Sequence, residues 1–133
     1  VTSSEPFKDR RSEIEYVSRS LKLLAMELNI PIIALSQMSR AVEVRGGDNE
    51  PMLSDLRESG AIEQDATSVI FLHREKKKEK ELGYREDIDR YLALILAKNR
   101  NGAVGKMYMK FEADKMKFYP ITKDGDFLDK EET

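Results

Sequence analysis

Two positive side chains, Lys98 and Arg100, close an apolar run just before Asn101-Gly102, in the stretch AKNRNGAVG at residues 97–105. Along an extended strand, residues two apart share a face. Lys98 and Arg100 are therefore expected to project together, with Asn99 on the other side. Asn-Gly favours a tight reversal, so the pair should sit at a strand's exposed end. Two aligned cations on a rigid hairpin suit a polyphosphate. Two strand-end cations left in water are the plainer alternative, and spacing alone does not choose between them. A second stretch, LSDLRESGAIEQDA at 53–66, holds Arg57, Glu58 and Gly60. Ser54 or Asp55 can cap a short helix, with Glu58 three residues after Asp55 as a loose capping box. Gly60 interrupts the pattern, and an interruption bares backbone N–H groups at a helix start, which suits phosphate. Arg57 would add a charged contact of the kind that holds a sugar-phosphate chain without reading its bases. A capped surface helix packed through Leu56 and Ile62 accounts for the same letters equally well. A third place is Ser36-Gln37, after an apolar run. If that run is a parallel strand, its carboxyl end is where open α/β sheets bind ligands. A Gln there can donate to a phosphate oxygen and accept from a water; as a bare dipeptide it reads as a polar loop.

Other chemistries are excluded by what the sequence lacks. It has no cysteine and a single histidine, His73, so neither a disulfide, a thiolate metal site nor a histidine cluster can form, and a reducing cytoplasm is the compatible setting. No Ser-His-Asp arrangement or metal cluster is evident. No G-x-x-x-x-G-K-[ST] phosphate loop occurs, and VRGGDNEP, though glycine-rich, lacks the lysine and the strand-to-helix setting. The formal net charge of −2 is not that of a nucleic-acid-coating protein, so any such contact must be local or multiplied by assembly. No apolar run approaches a membrane span. The start, VTSSEPFKDRR, has no apolar signal core and no Met, and the sequence reads as a piece of something longer.

These residues need elements to hold them. Ile14, Val17, Leu21, Leu24, Ala25 and Leu28 recur at helical spacing, predicting a helix over 11–29 that ends at Asn29-Ile30-Pro31. Ile32–Leu35, residues 68–73 and residues 91–97 are short continuous apolar runs of the kind buried on both faces of a parallel sheet. Met107, Met109 and Phe111 alternate with Lys106, Tyr108 and Lys110, which predicts one buried and one wet face, the antiparallel pattern. Residues 91–98, 105–111 and 116–119 are expected to form an antiparallel meander at one edge of the sheet. The expected class is α/β: one domain of 133 residues, with a mainly parallel core flanked by helix and a loose tail over 120–133. Two connections are long, 37–60 and the charge run REKKKEKELGYREDI at 74–88; the run reads as a solvated loop or helix turn.

Taken in order, ELNIPIIALSQMSRAVEVR, PMLSDLRESGAIEQDATSVIFLHRE and AKNRNGAVGKMYMKF resemble the C-terminal part of the ATPase domain of replicative DnaB-type helicases, over roughly residues 12–119. The resemblance implies a partial RecA-like fold from an ATP-driven motor: six like subunits in a ring, single-stranded DNA through the centre, ATP and Mg2+ between neighbours. It implies that the phosphate loop, the catalytic glutamate and the magnesium-holding aspartate belong to segments upstream of Val1. Gln37 matches the family's γ-phosphate sensor. Arg57, Glu58 and Gly60 match the loop that touches the DNA backbone. Lys98 and Arg100 match the pair that reaches the neighbour's ATP, with Arg100 as the arginine finger. Primase and a helicase loader are implied partners, and the cytoplasm the implied location. The sequence departs from the family at Thr67 (often Asp), His73 (Tyr), Asn99 (Gln) and Ala103 (Pro). Asn99 points away from the cationic pair, so its change should matter least, whereas Ala103 should loosen the turn after Gly102. Another RecA-like ATPase, or a non-enzymatic nucleic-acid or partner binding module, is the alternative.

Overall fold

A computed structural model describes residues 10–37 and 50–128, without the side chains of 10, 11 and 57–60. It forms two compact units, residues 1–69 and 70–133. The glycine-rich stretch at 44–49 and the segment Met38–Arg45 of the first family-like block lie outside the described residues.

In the first unit, helix α1 spans Arg10–Leu28, one residue from its expected bounds at each end. It stops at the Asn-Ile-Pro signal for a definable reason. Asn29 takes φ +53°, a left-handed angle that Asn tolerates better than most residues. The Ile30 N–H then reaches back to the Ala25 carbonyl at 3.1 Å. That is the six-to-one bond of a Schellman cap, and Pro31 prevents continuation. Ile14, Val17, Leu21 and Ala25 are half-buried, while Leu24 and Leu28 at the end of the stripe are exposed. After Pro51, a 3-10 helix runs Leu53–Ser59 with a break at Leu56 (φ −89°, ψ 22°), and helix α2 follows at Gly60–Asp65. The capping differs from the expectation. Asp55 is not the cap of the turn that opens at Leu53. It sits in the first turn and reaches back, its carboxylate accepting the Met52 N–H at 2.8 Å while its own N–H donates to the Met52 carbonyl at 2.9 Å. The half of a capping box that closes here is thus the acidic one, three residues earlier than expected.

The second unit is a four-stranded sheet in the order β1-β2-β3-β4: Ser68–Arg74, Asp89–Asn99, Gly105–Glu112 and Lys117–Ile121. β2 pairs antiparallel with β3, and β3 with β4. The Glu75 N–H donates to the Tyr91 carbonyl at 3.1 Å, so the end of β1 lies beside the start of β2 and these two also run oppositely. The short helix α3, Lys76–Glu81, fills the link. It ends in a second Schellman cap, with Gly83 at φ +70° and bonds from the Gly83 and Tyr84 N–H groups to the Lys80 and Glu79 carbonyls.

The mainly parallel core is not met among the described residues. The meander is present, and 68–73 and 91–97 are strands, but they belong to an antiparallel sheet. Ile32–Leu35 has no regular structure, and Ile33 and Leu35 are 89% and 95% exposed. A strand buried on both faces belongs to a covered sheet, and this run is part of no described sheet. The expected alternation of burial in β3 is not met: Lys106 and Met107 are exposed, and Tyr108, Met109, Lys110 and Phe111 are all half-buried. Tyr91 pairs with Lys110, Ala93 with Tyr108 and Ile95 with Lys106, so Lys110 shares a face with the buried Tyr91, Ala93 and Ile95, while Leu92 on the other face is buried as well. The face that carries Lys110 is thus covered too. Lys110 lays its stem over it, with its ammonium 3.9 Å from Asp89 and 3.8 Å from Glu112 and above the Tyr84 and Phe127 rings, as long cationic side chains do. Met107 and Phe118, on the other face, are more than half exposed. The stretch from 120 is not loose as far as Leu128. Ile121 is buried and bridges to Phe127, and the Tyr91 hydroxyl donates to the Lys123 carbonyl.

Candidate functional site

The hairpin between β2 and β3 carries the two cations. Lys98 is the penultimate residue of β2 and half-buried; Arg100 lies one residue past the strand, exposed. The Gly102 N–H donates to the Asn99 carbonyl at 3.3 Å, so the reversal is a β-turn over 99–102 with Arg100 and Asn101 at its centre. Neither has a positive φ. The Asn-Gly signal thus marks a reversal, but one centred a residue earlier than a type I′ turn on Asn101-Gly102 would be. Strand alternation does not govern Arg100, because it has left the strand. Its place at the tip follows instead from being the first central residue of the turn.

Arg100 makes no hydrogen bond or ion pair with the described residues. Several acidic groups of this unit are engaged with other cations. Asp89, at the far end of β2, lies about 33 Å along the strand from Asn99, at about 3.3 Å per residue. It is buried and takes a bidentate contact from Arg85 at 2.8 and 2.9 Å. That hydrogen bonding holds its carboxyl down to about 2. Arg85 also approaches Glu112 and Asp114, both at 3.4 Å. Glu79, buried on α3, accepts both arms of Arg74 at 2.9 Å and the Tyr91 N–H at 3.0 Å; this partner raises the Arg74 pKa. Burial pushes the Tyr91 phenol up, out of any acid-base role near neutral pH. One end of the sheet is thus a saturated ion-pair network. At the other stands a guanidinium able to give two parallel hydrogen bonds to a phosphate.

The remaining candidates lie in the first unit. Gln37 is exposed at the end of the unstructured 31–37 stretch, its carbonyl accepting the Ser36 hydroxyl at 3.4 Å. Arg57 and Glu58 fall in the 3-10 helix after the break at Leu56, and Gly60 opens α2. The expected interruption is therefore present, as a change of helix type; the side chains of 57–60 lie outside the described residues. The segment is pinned at its far end, where Asp65 accepts the Ser18 hydroxyl at 2.9 Å and an Arg19 N–H at 3.3 Å. Lys98 and Arg100 thus share one end of the β2–β3 hairpin, and Arg57, Glu58 and Gly60 lie on two consecutive helical segments. Asp65 and Asn99, whose side chain donates to the Ala103 carbonyl at 3.2 Å, escape sequence reasoning as supports of these segments. Among the described residues no group of three His, Cys, Asp or Glu could hold a metal ion.

Residues 1–120 match the sequence profile of the family described as DnaB-like helicase C terminal domain. Over 111 residues the chain is 48% identical to the replicative DNA helicase DnaB of Geobacillus stearothermophilus, covering 84% of this chain and 23% of that protein. Among solved structures it is similar to one described as an ATPase domain, with TM-score 0.75, 39% identity, and coverage of 95% of this chain and 40% of that one. A second, described as "The Structure Of A DnaB-Like Replicative Helicase And Its Interactions With Primase", superposes with TM-score 0.70 and 38% identity, covering 96% of this chain and 28% of that one. The chain therefore spans about a quarter of the length of the curated relative it matches.

Proposed function

The chain belongs to the DnaB-like helicase C-terminal domain family, and from that premise we propose that it is the second part of the motor of a hexameric, ATP-driven replicative DNA helicase that unwinds duplex by moving on single-stranded DNA. The observation that carries this reading is Arg100: exposed, at the first central position of a turn, and without a partner among the described residues. A cation held so has an external anion as its natural partner. In the proposed ring that anion is the γ-phosphate of ATP seated on the neighbouring subunit. Lys98, one residue inside the strand, supplies a second charge. ATP brings the phosphoryl group whose transfer to water drives movement. The guanidinium stabilises the charge that spreads over that group, an effect worth about three to five decades in rate for NTPases of this kind.

Gln37 is assigned as the sensor of the γ-phosphate, and Arg57, Glu58 and Gly60 as the segment that contacts the DNA backbone. The change of helix type at Gly60 supports the second assignment, because a residue without a side chain lets phosphate approach the backbone there. Mg2+ would accompany ATP, its ligands mostly on the part of the motor that carries the phosphate loop. Primase and a helicase loader are further proposed partners; a structural relative is described together with its interactions with primase. The proposed setting is the cytoplasm, where such a replication motor works. No described helix is long and apolar enough to cross a membrane.

The test is Arg100→Ala in a complete motor, meaning a replicative helicase that carries this chain as the matching part of its ATPase domain. Ring assembly and ATP binding should persist while kcat falls by about a thousandfold or more. An undiminished kcat would remove Arg100 from the mechanism.

A further inference from the structure

The turn that presents Arg100 is closed by two contacts. One is the backbone bond from the Gly102 N–H to the Asn99 carbonyl, long at 3.3 Å. The other is the bond from the Asn99 side-chain amide, Nδ2, to the Ala103 carbonyl at 3.2 Å. The second ties the last residue of β2 to the far limb of the turn, so that residues 100–102 are enclosed between two joined points. Gly102 belongs to the same arrangement. A Cβ built there would stand 2.9 Å from Asn99 Nδ2, yet Gly102 does not take a left-handed φ. Glycine is therefore needed at 102 for space, to let the amide pass over it, and not for backbone angle. Asn99 is half-buried, whereas Arg100 to Val104 are all exposed. Apart from the strand ends, the loop has no packing to hold its shape. An amide two bonds from its own backbone can neither lengthen nor swing far, so it fixes the turn more tightly than a longer side chain would.

We propose that Asn99 is a positioning residue for Arg100: its side-chain amide clamps the turn across Gly102 to Ala103 and so holds the guanidinium at the tip in one place. This corrects the expectation that Asn99, facing away from the cations, matters least. It also supplies the stiffness that Ala103 was expected to cost the turn. The inference rests on the reading of Arg100 as the cation that reaches the neighbour's ATP. A finger must meet its phosphate within a fraction of an ångström, and loss of one hydrogen bond that holds it costs about three- to tenfold in the population correctly placed.

The experiment is steady-state ATP hydrolysis by the complete motor with Asn99→Ala, Gly102→Ala, both together, and Arg100→Ala, alongside ring assembly and melting temperature. Asn99→Ala should lower kcat about three- to tenfold with KM, assembly and melting temperature little changed. Gly102→Ala, which pushes the amide aside without straining the backbone, should do the same. In the Asn99→Ala background Gly102→Ala should cost nothing more, since the atom it displaces is gone. If Arg100→Ala collapses kcat while Asn99→Ala leaves it at the wild-type value, or while the two substitutions at 99 and 102 simply multiply, the clamp is refuted and the role of Arg100 stands. If Arg100→Ala hydrolyses ATP normally, both fall.

Discussion

Arg100 and Asp89 sit at the two ends of one strand and show opposite uses of charge. Asp89 is buried and fully answered, by Arg85 in a bidentate contact and by Lys110 at 3.9 Å. Arg100 is exposed, with no partner among the described residues. The first arrangement stabilises the fold; the second leaves a charge available to something outside it. The Asp89 contribution has a definite pH signature. Its carboxyl is held at about 2, below its usual 3.8. The stabilisation is therefore complete above about pH 4 and lost as pH falls from there through about 2. Arg85 is half exposed, so solvent screening reduces the effect to on the order of 1–2 kcal/mol. Urea unfolding of Asp89→Asn near neutral pH should show a loss of that size, and near pH 2 almost none. An equal penalty at both would mean that the contact is not the source. Neither role was evident from residue types alone. Asp89 is one of many acids in a charge-rich stretch, and what selects it is burial at the start of β2 with Arg85 folded back onto it.

Elements whose signals are local were legible, and those whose signals depend on a distant partner were not. Helix α1 is written in a 3.6-residue period and ended by Asn29-Ile30-Pro31, and it forms within a residue of that reading. The strands at 68–74 and 89–99 are plain from their apolar runs. The burial of Lys110 beside Met109 and Phe111 in β3 was not, because hydropathy ranks a lysine far below either. Burial here is decided by register, and the aliphatic stem of Lys110 covers the Tyr91 face while its ammonium finds Asp89 and Glu112. The Asp55 carboxylate accepting the Met52 N–H and the Asn99 amide donating to the Ala103 carbonyl are contacts over three and four residues whose geometry no composition reveals. At this scale the account makes one further claim, about the segment that Gly60 opens. Gly60→Val in the complete motor should raise the dissociation constant for single-stranded DNA about tenfold or more, because a branched side chain blocks close approach of phosphate to the backbone. The melting temperature should move by only a few degrees. A lower melting temperature with DNA affinity intact would assign Gly60 to folding instead.

For the whole molecule, family membership and the proposed trans role of Arg100 describe the same arrangement. A chain without a phosphate loop of its own and with a presented arginine is suited to complete a site formed largely by another part of the motor. Such a division makes hydrolysis depend on ring geometry, since the cation arrives only when the neighbour is correctly placed. The mild net charge of −2 is compatible with a ring that holds DNA through a few local contacts per subunit, each weak enough to release during stepping. The measurement that bears most directly on this account mixes two inactive forms of the complete motor, one carrying Arg100→Ala and one lacking a working phosphate loop but keeping Arg100. If Arg100 serves its neighbour's ATP, mixed rings should regain hydrolysis, rising and then falling with mixing ratio. If no ratio restores activity although mixed rings form, Arg100 does not act across the subunit boundary, and the account is wrong at its centre.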